Sequence, residues 1–357
     1  MVVEAGWIDT VDGTGPGLLE VLDAVFAQTT LSRVARSRRR ALGEVLEVTM
    51  NGSSPGDLGR VLAGPARVVE TSAGVMEYAE AGDGPPMLSL HPAMGGWDAG
   101  LGMASPFWTH GFRVIAPSRP GYLGTPAGTG STPQAQADAL AALLDAAGVD
   151  ECEVLGHCAG GLVGNLFAAQ HPDRVHSLVA VSTPTDPDVG VSPLLLRLAL
   201  NRPVLALLTA RDRRLLKGTG EAAARQIIGG DSTLEKEAVA ALAHRVMADP
   251  PRAAFVTQVW ATRTRRSRQR FAGVRVDSLQ AEVLADPPLA EITCPTLVVH
   301  GGAELLSLRH AERAAATIPH AELRVITDGC HHGLWLNDDA VHHQTYIREW
   351  LTARAAT

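Results

Sequence analysis

Cysteine, aromatic residues and long apolar runs are all scarce in this 357-residue chain. The four cysteines, Cys152, Cys158, Cys294 and Cys330, stand far apart and mostly in strand-like surroundings. That argues against a disulfide framework and suits free thiols in a reducing cytoplasm. Aromatics make up only 4% of the chain against 36 glycines and abundant alanine, which implies tight packing of small side chains and much helix. No uninterrupted apolar stretch reaches the ~18 residues of a membrane span. Residues 1–9 show neither a basic nor an apolar signal-peptide region, so a cytoplasmic location is expected. Neither a G-x-G-x-x-G nor a P-loop pattern occurs, so no phosphate-bearing cofactor is expected. The net charge of −7 gives no reason to expect a nucleic-acid partner.

What the chain does have is length and apolar content: 46% hydrophobic residues suffice for one large α/β domain or a core with an inserted subdomain. Residues 1–66 are set apart by an apolar helical pattern (17–26), a basic run (Arg33, Arg36, Arg38, Arg39, Arg40) and the break Gly52-Ser53-Ser54-Pro55-Gly56. They read as an N-terminal helical extension. From residue 67 short apolar runs alternate with helical patterns. Residues 67–71 and 75–80 suggest a hairpin. Residues 87–90, 113–116, 152–155, 177–181, 296–299 and 323–326 read as buried strands, with a helix over 134–147 between two of them. This rhythm predicts a mostly parallel sheet covered on both faces. It stops over residues 190–290, which are helical in pattern (194–208, 239–247) and read as a lid inserted before the last two strands. The core is therefore expected at 67–189 and 291–357.

The most informative run is Gly156-His157-Cys158-Ala159-Gly160. An apolar strand enters it and a helix rich in small residues leaves it, which is the shape of a nucleophile elbow. The tight turn asks for residues without Cβ at 156 and 160. It would hold the Cys158 thiol against a helix N-terminus, a place that favours thiolate chemistry.

A thiol nucleophile needs a base, an orienting acid and an oxyanion site. In Asp328-Gly329-Cys330-His331-His332-Gly333, between a strand and a helix, His332 is the expected base and His331 its neighbouring rival. A metal site at Cys330, His331 and His332 is not expected, because such close spacing gives few compatible ligand directions. Glu304, after the strand ending at 299, is the expected acid; Asp186, after the strand ending at 181, is the alternative. The oxyanion donors would be the N–H of Ala159 and that of Ala93 in His91-Pro92-Ala93-Met94-Gly95-Gly96; Pro92 has no N–H to give.

These pieces, in this order and with Ser118-Arg119-Pro120-Gly121-Tyr122-Leu123-Gly124 and His300-Gly301 between them, resemble the α/β-hydrolase superfamily over roughly residues 67–355. The resemblance implies the α/β-hydrolase fold, a Cys-His-acid triad and an inserted helical lid. Three positions depart from the family pattern: Cys158 stands for serine, Pro92 for glycine and Glu304 for aspartate. Within the superfamily cysteine elbows occur in enzymes similar to dienelactone hydrolase and in Dieckmann cyclases that release carrier-bound thioesters. The length and lid look closer to the second group. The resemblance therefore implies an acyl-transfer enzyme with an acyl-Cys intermediate and ring-forming release. Plain ester or thioester hydrolysis, elimination of an acyloxy group, and a non-catalytic binding role are the alternatives. The expected partner is a small-molecule acyl substrate, either free or presented by an acyl carrier protein. Arg263, Arg265, Arg266, Arg268 and Arg270 read either as a solvated helix face or as a docking patch for such an acidic carrier.

Overall fold

The computed structural model describes residues 66–185, 220–284 and 287–355. Eight strands form one sheet: β1 (Arg67–Thr71), β2 (Gly74–Ala81), β3 (Pro86–Leu90), β4 (Arg113–Pro117), β5 (Cys152–His157), β6 (Val175–Val181), β7 (Thr296–Gly301) and β8 (Ala321–Ile326). Their order is β1-β2-β4-β3-β5-β6-β7-β8. β1 pairs antiparallel with β2 and β2 with β4; all later pairings are parallel. The α/β-hydrolase fold expected from the sequence is the fold observed.

Successive strand residues face opposite sides, and both sides are apolar. Val154, Leu178, Ala180 and Val298 pack on one face with Leu140, Leu143 and Phe167. Leu155, Val179, Leu297 and Val299 pack on the other with Trp260, Trp335 and Trp350. A strand buried on both faces reads as a continuous apolar run, which is why these strands are visible in the sequence.

The first face is covered by α3 (Pro133–Ala146) and α4 (Ala159–Gln170); the second by α1 (Trp97–Met103), α2 (Ser105–Trp108) and α11 (Ala340–Ala355). α3 starts where Thr132 caps the Ala135 N–H at 3.1 Å with proline in the first turn. Between β6 and β7 lie α5 (Gly220–Gly230), α6 (Lys236–Ala248), α7 (Pro250–Thr264) and α8 (Ser267–Leu284). α9 (Arg309–Thr317) and α10 (Gly333–Leu336) flank β8. Asp249 caps α7 at the Arg252 N–H, again followed by proline. The expected helical stretch 190–290 is thus helical where it is described. Its apolar piece 194–208, Asp186 and the extension over residues 1–65 lie outside the described residues.

In parallel sheets of this kind, the loops at the C-terminal strand ends carry the chemistry. Here those are the loops after β3, β5, β7 and β8.

Candidate active site

Cys158 sits between β5 and α4 with φ 53° and ψ −122°, in the left-handed region that a residue with Cβ avoids. Such a conformation costs of order 1–3 kcal/mol and persists only where the surroundings dictate it. They do so here. The Cys158 N–H donates to Val181 O at 3.0 Å, and its carbonyl accepts from the Gly161 N–H at 2.9 Å. A Cβ on Gly156 would lie 2.6 Å from Gly161 Cα, and one on Gly160 2.2 Å from Leu90 O. Both glycines predicted for the turn are therefore required by backbone contact. The first helical N–H groups of α4 have no carbonyl a turn earlier to bond, and Ala159 supplies the first of them.

Half-buried Cys158 opens into a cleft of about 450 Å³, its open mouth included, with Pro92, Ala93, Met94, Met103, Val259, His331 and His332 among the lining residues. The other three thiols are buried, and burial pushes Cys152 and Cys330 up to about 12 and Cys294 up to about 11. They stay protonated at neutral pH.

His332 was the expected base, but His331 is the histidine that the structure pairs with Glu304. His331 Nδ1 lies 2.9 Å from Glu304 Oε2, and His331 lines the cleft together with Cys158. His332 lines the same cleft. It packs at the cleft wall with ring centroids 5.2 Å from His157 and 6.3 Å from Phe255. The loop's register is set by Gly329. Its carbonyl accepts from the Ala303 N–H at 2.9 Å and sits where a Cβ on Gly301 would clash. With 329 docked on the end of β7, the 331 side chain is the one turned toward Glu304.

Glu304 is fully enclosed. Its Oε1 accepts from Ser182 Oγ at 2.6 Å and from the Gly301 N–H at 2.6 Å, while Oε2 takes His331. Burial would raise this carboxyl; its donors outweigh burial and hold it down at about 2. The carboxylate is therefore ionised, so Nδ1 of His331 carries the proton and Nε2 is left for Cys158. Burial would likewise lower His331, but the Cys158 sulfur and the Glu304 carboxylate hold it well above the ordinary histidine range. Glu304 thus holds an imidazole that shares the cleft with the Cys158 thiol. Ser182 belongs to this set and was missed in the sequence, where one serine after a strand carries no signal.

The loop after β3 is fixed from below by His91. Its Nδ1 donates to Pro92 O at 2.7 Å, and its Nε2 accepts from the Arg119 N–H at 3.0 Å. Burial, helped by Arg119, keeps this imidazole neutral, well below the usual range. Pro92 O also accepts from the Gly95 N–H at 3.1 Å. Carbonyl and N–H of a trans peptide point in opposite directions. With Pro92 O turned onto His91, the Ala93 N–H is turned away from it, and Ala93 lines the cleft beside Cys158.

The arginine run divides. Arg265, Arg266 and Arg268 are exposed, whereas Arg270 is buried and pairs with Asp98 through both carboxylate oxygens, at 3.0 and 2.6 Å. The side chain of Arg263 lies outside the described residues. Among the described residues no helix is long and apolar enough to cross a membrane.

A doubly covered parallel sheet with thiol, imidazole and carboxylate gathered at its C-terminal edge defines a class of catalytic fold. The family described as alpha/beta hydrolase fold matches residues 85–338, and the chain belongs to it. A solved alpha/beta hydrolase fold protein from Nakamurella multipartita is similar at 32% identity and a TM-score of 0.73, covering 82% of this chain and 100% of that one. The uncharacterized hydrolase YcgS of Bacillus subtilis (strain 168) is 27% identical over 286 residues, 77% of this chain and 95% of YcgS. The putative carbamate hydrolase RutD of Stutzerimonas stutzeri (strain A1501) is 26% identical over 254 residues, 65% of this chain and 82% of RutD.

Proposed function

We propose that the protein hydrolyses a carboxylic ester or thioester through an acyl-Cys158 intermediate, with His331 as general base and acid and Glu304 as its orienting carboxylate. The observation that carries this is the position of His331: Nδ1 is held at 2.9 Å by Glu304, and the ring lines the cleft into which Cys158 opens.

In the first half-reaction the Cys158 thiolate, its proton held on His331, attacks the carbonyl carbon. The resulting oxyanion receives the N–H groups of Ala93 and Ala159. The tetrahedral intermediate collapses, His331 returns the proton to the leaving alcohol or thiol, and a thioester to Cys158 remains. In the second half His331 deprotonates water, which attacks the thioester. Sγ leaves as thiolate, His331 keeps the proton taken from water, and a free acid departs. The cleft walls Met94, Met103 and Val259 suit an apolar acyl group. The inserted helices then serve as its lid.

Ring-forming release, the first reading of the sequence, needs an acceptor carbon or amine within the substrate. None of the relatives above carries such an activity in its name; they carry the names of hydrolases, and hydrolysis needs only water. An elimination would use His331 alone, and a binding module would use none of the three groups. Neither explains a buried carboxylate held ionised against His331. An acyl carrier protein as donor remains part of the proposal only through exposed Arg265, Arg266 and Arg268.

The test combines product analysis with intact mass spectrometry on acyl thioesters and activated esters. Free acid and a transient adduct on Cys158 are expected. A ring product without free acid, an alkene, or turnover by Cys158→Ala would overturn the reading.

A further inference from the structure

The loop that carries Ala93 is held by the helices inserted between β6 and β7 as well as by the sheet. Two buried arginines make this connection. Arg270, on α8, donates Nη1 to Gly95 O at 2.7 Å, and its pair with Asp98 spans the start of α1. Its guanidinium lies 3.0 Å from where a Cβ on Gly96 would stand, so the loop rests directly on it. Arg119, after β4, donates Nε to His91 O at 3.1 Å, and its Nη1 and Nη2 engage Asp277 of α8 at 2.7 and 2.8 Å. Tyr122 donates to the same Asp277 carboxylate at 2.5 Å and meets the His91 ring edge-on at 4.6 Å. α8 comes this close because of Gly273, where a Cβ would fall 2.1 Å from the Tyr122 ring.

Both ends of the Ala93 loop are thus tied to one helix: Gly95 through Arg270, and His91 through Arg119 and Asp277. Bidentate pairs between buried groups are short, directional and costly to break singly. A helix displaced from this seat would release both ties together.

We propose that α8 braces the oxyanion loop, with Arg270, Asp98, Arg119 and Asp277 as positioning residues. Oxyanion stabilisation at Ala93 is then available only while the inserted helices are seated on the core. The inference deepens the proposed acyl-Cys158 chemistry and rests on it. The insertion is then part of the catalytic apparatus as well as its cover.

Two reactions of the same thiol separate this brace from general support. Alkylation of Cys158 by iodoacetamide needs the thiolate and no oxyanion site; acylation by a p-nitrophenyl ester needs both. Arg270→Gln is expected to slow acylation about ten- to hundred-fold, part of what loss of an oxyanion donor costs. Alkylation should change less than about twofold. Arg270→Lys, which keeps the charge but not the fork, should fall between. Equal losses in both reactions, or none in either, would overturn the proposal. Hydrogen exchange over residues 90–103 provides a second measurement, independent of turnover. It should quicken in Arg270→Gln and in Asp277→Asn, and unchanged exchange in both would also overturn the brace. A wild-type protein that is alkylated but never acylated would sink the acyl-Cys158 reading, while the exchange data still decide the brace.

Discussion

The elbow at Cys158 and the loop at His331 deliver a thiol and an imidazole to one cleft by opposite physical means. The elbow is fixed by exclusion. Its left-handed residue is strained, and backbone atoms stand where side chains at 156 and 160 would go. The histidine loop is fixed by polar attachment: Gly329 O to Ala303 N, then Glu304 to His331, with Ser182 and Gly301 holding the carboxylate. A group fixed by sterics tolerates no change of size around it. One fixed by a charged hydrogen-bond chain responds to charge and pH.

The comparison breaks most directly at the sulfur. Cys158→Ala should abolish turnover and adduct formation, while Cys330→Ala, beside the base but with a protonated thiol, should keep the wild-type mechanism; kinetics with intact mass spectrometry checks both. His331→Ala should cost kcat on the order of a thousandfold or more, because the three groups act as a unit. His332→Ala should cost about tenfold or less, appearing mainly in KM, since His332 lines the cleft while His331 is the histidine held by Glu304. A reversed ranking would return the base to His332.

Glu304→Gln should lower kcat about a hundredfold or more, by removing the charge that sets the His331 tautomer. The same residue gives a pH signature. Its folded-state value of about 2 lies below its ordinary 4.5. The stability it contributes is therefore fully present above about pH 4.5 and lost as pH falls through about 2. It amounts to roughly 3 kcal/mol. Urea denaturation across that window should show this loss in the wild type and lack it in Glu304→Gln.

The smallest effects contrast the two regions by size alone. Gly160→Ala places a Cβ 2.2 Å from Leu90 O and should cost about 1–3 kcal/mol. At Gly333, after the histidines, the nearest atoms would be 3.8 Å away, so Gly333→Ala should stay within about 0.5 kcal/mol. Thermal unfolding measures both.

This contrast also explains what could be read in the sequence. Strands buried on both faces announce themselves as apolar runs, so β3 to β7 were each located to within a few residues; β8, an edge strand with Leu323 and Val325 exposed, was found from its shorter apolar run and is not the buried strand expected. The elbow was legible because glycine has few substitutes where backbone meets backbone. Glu304 was legible because a carboxylate after β7 faces the next strand's loop. The histidine on Glu304 lies one residue before the expected one because side-chain direction in a loop depends on where Gly329 docks, and that contact joins segments far apart in sequence. Arg270 was read within a basic run although it is buried. Its partner Asp98 lies 172 residues away, and no local pattern links them. Asp277 and Gly273 escaped notice for the same reason.

The central claim is that a proton passes from Cys158 to His331 under the hold of Glu304. Single-turnover acylation by a p-nitrophenyl ester, followed by intact mass, tests it most directly in wild type, His331→Ala and His332→Ala at equal protein concentration. The account predicts a rapid adduct on Cys158 in the wild type and in His332→Ala, and an adduct in His331→Ala that forms on the order of a thousandfold more slowly. An adduct forming at the wild-type rate in His331→Ala and lost in His332→Ala would contradict it.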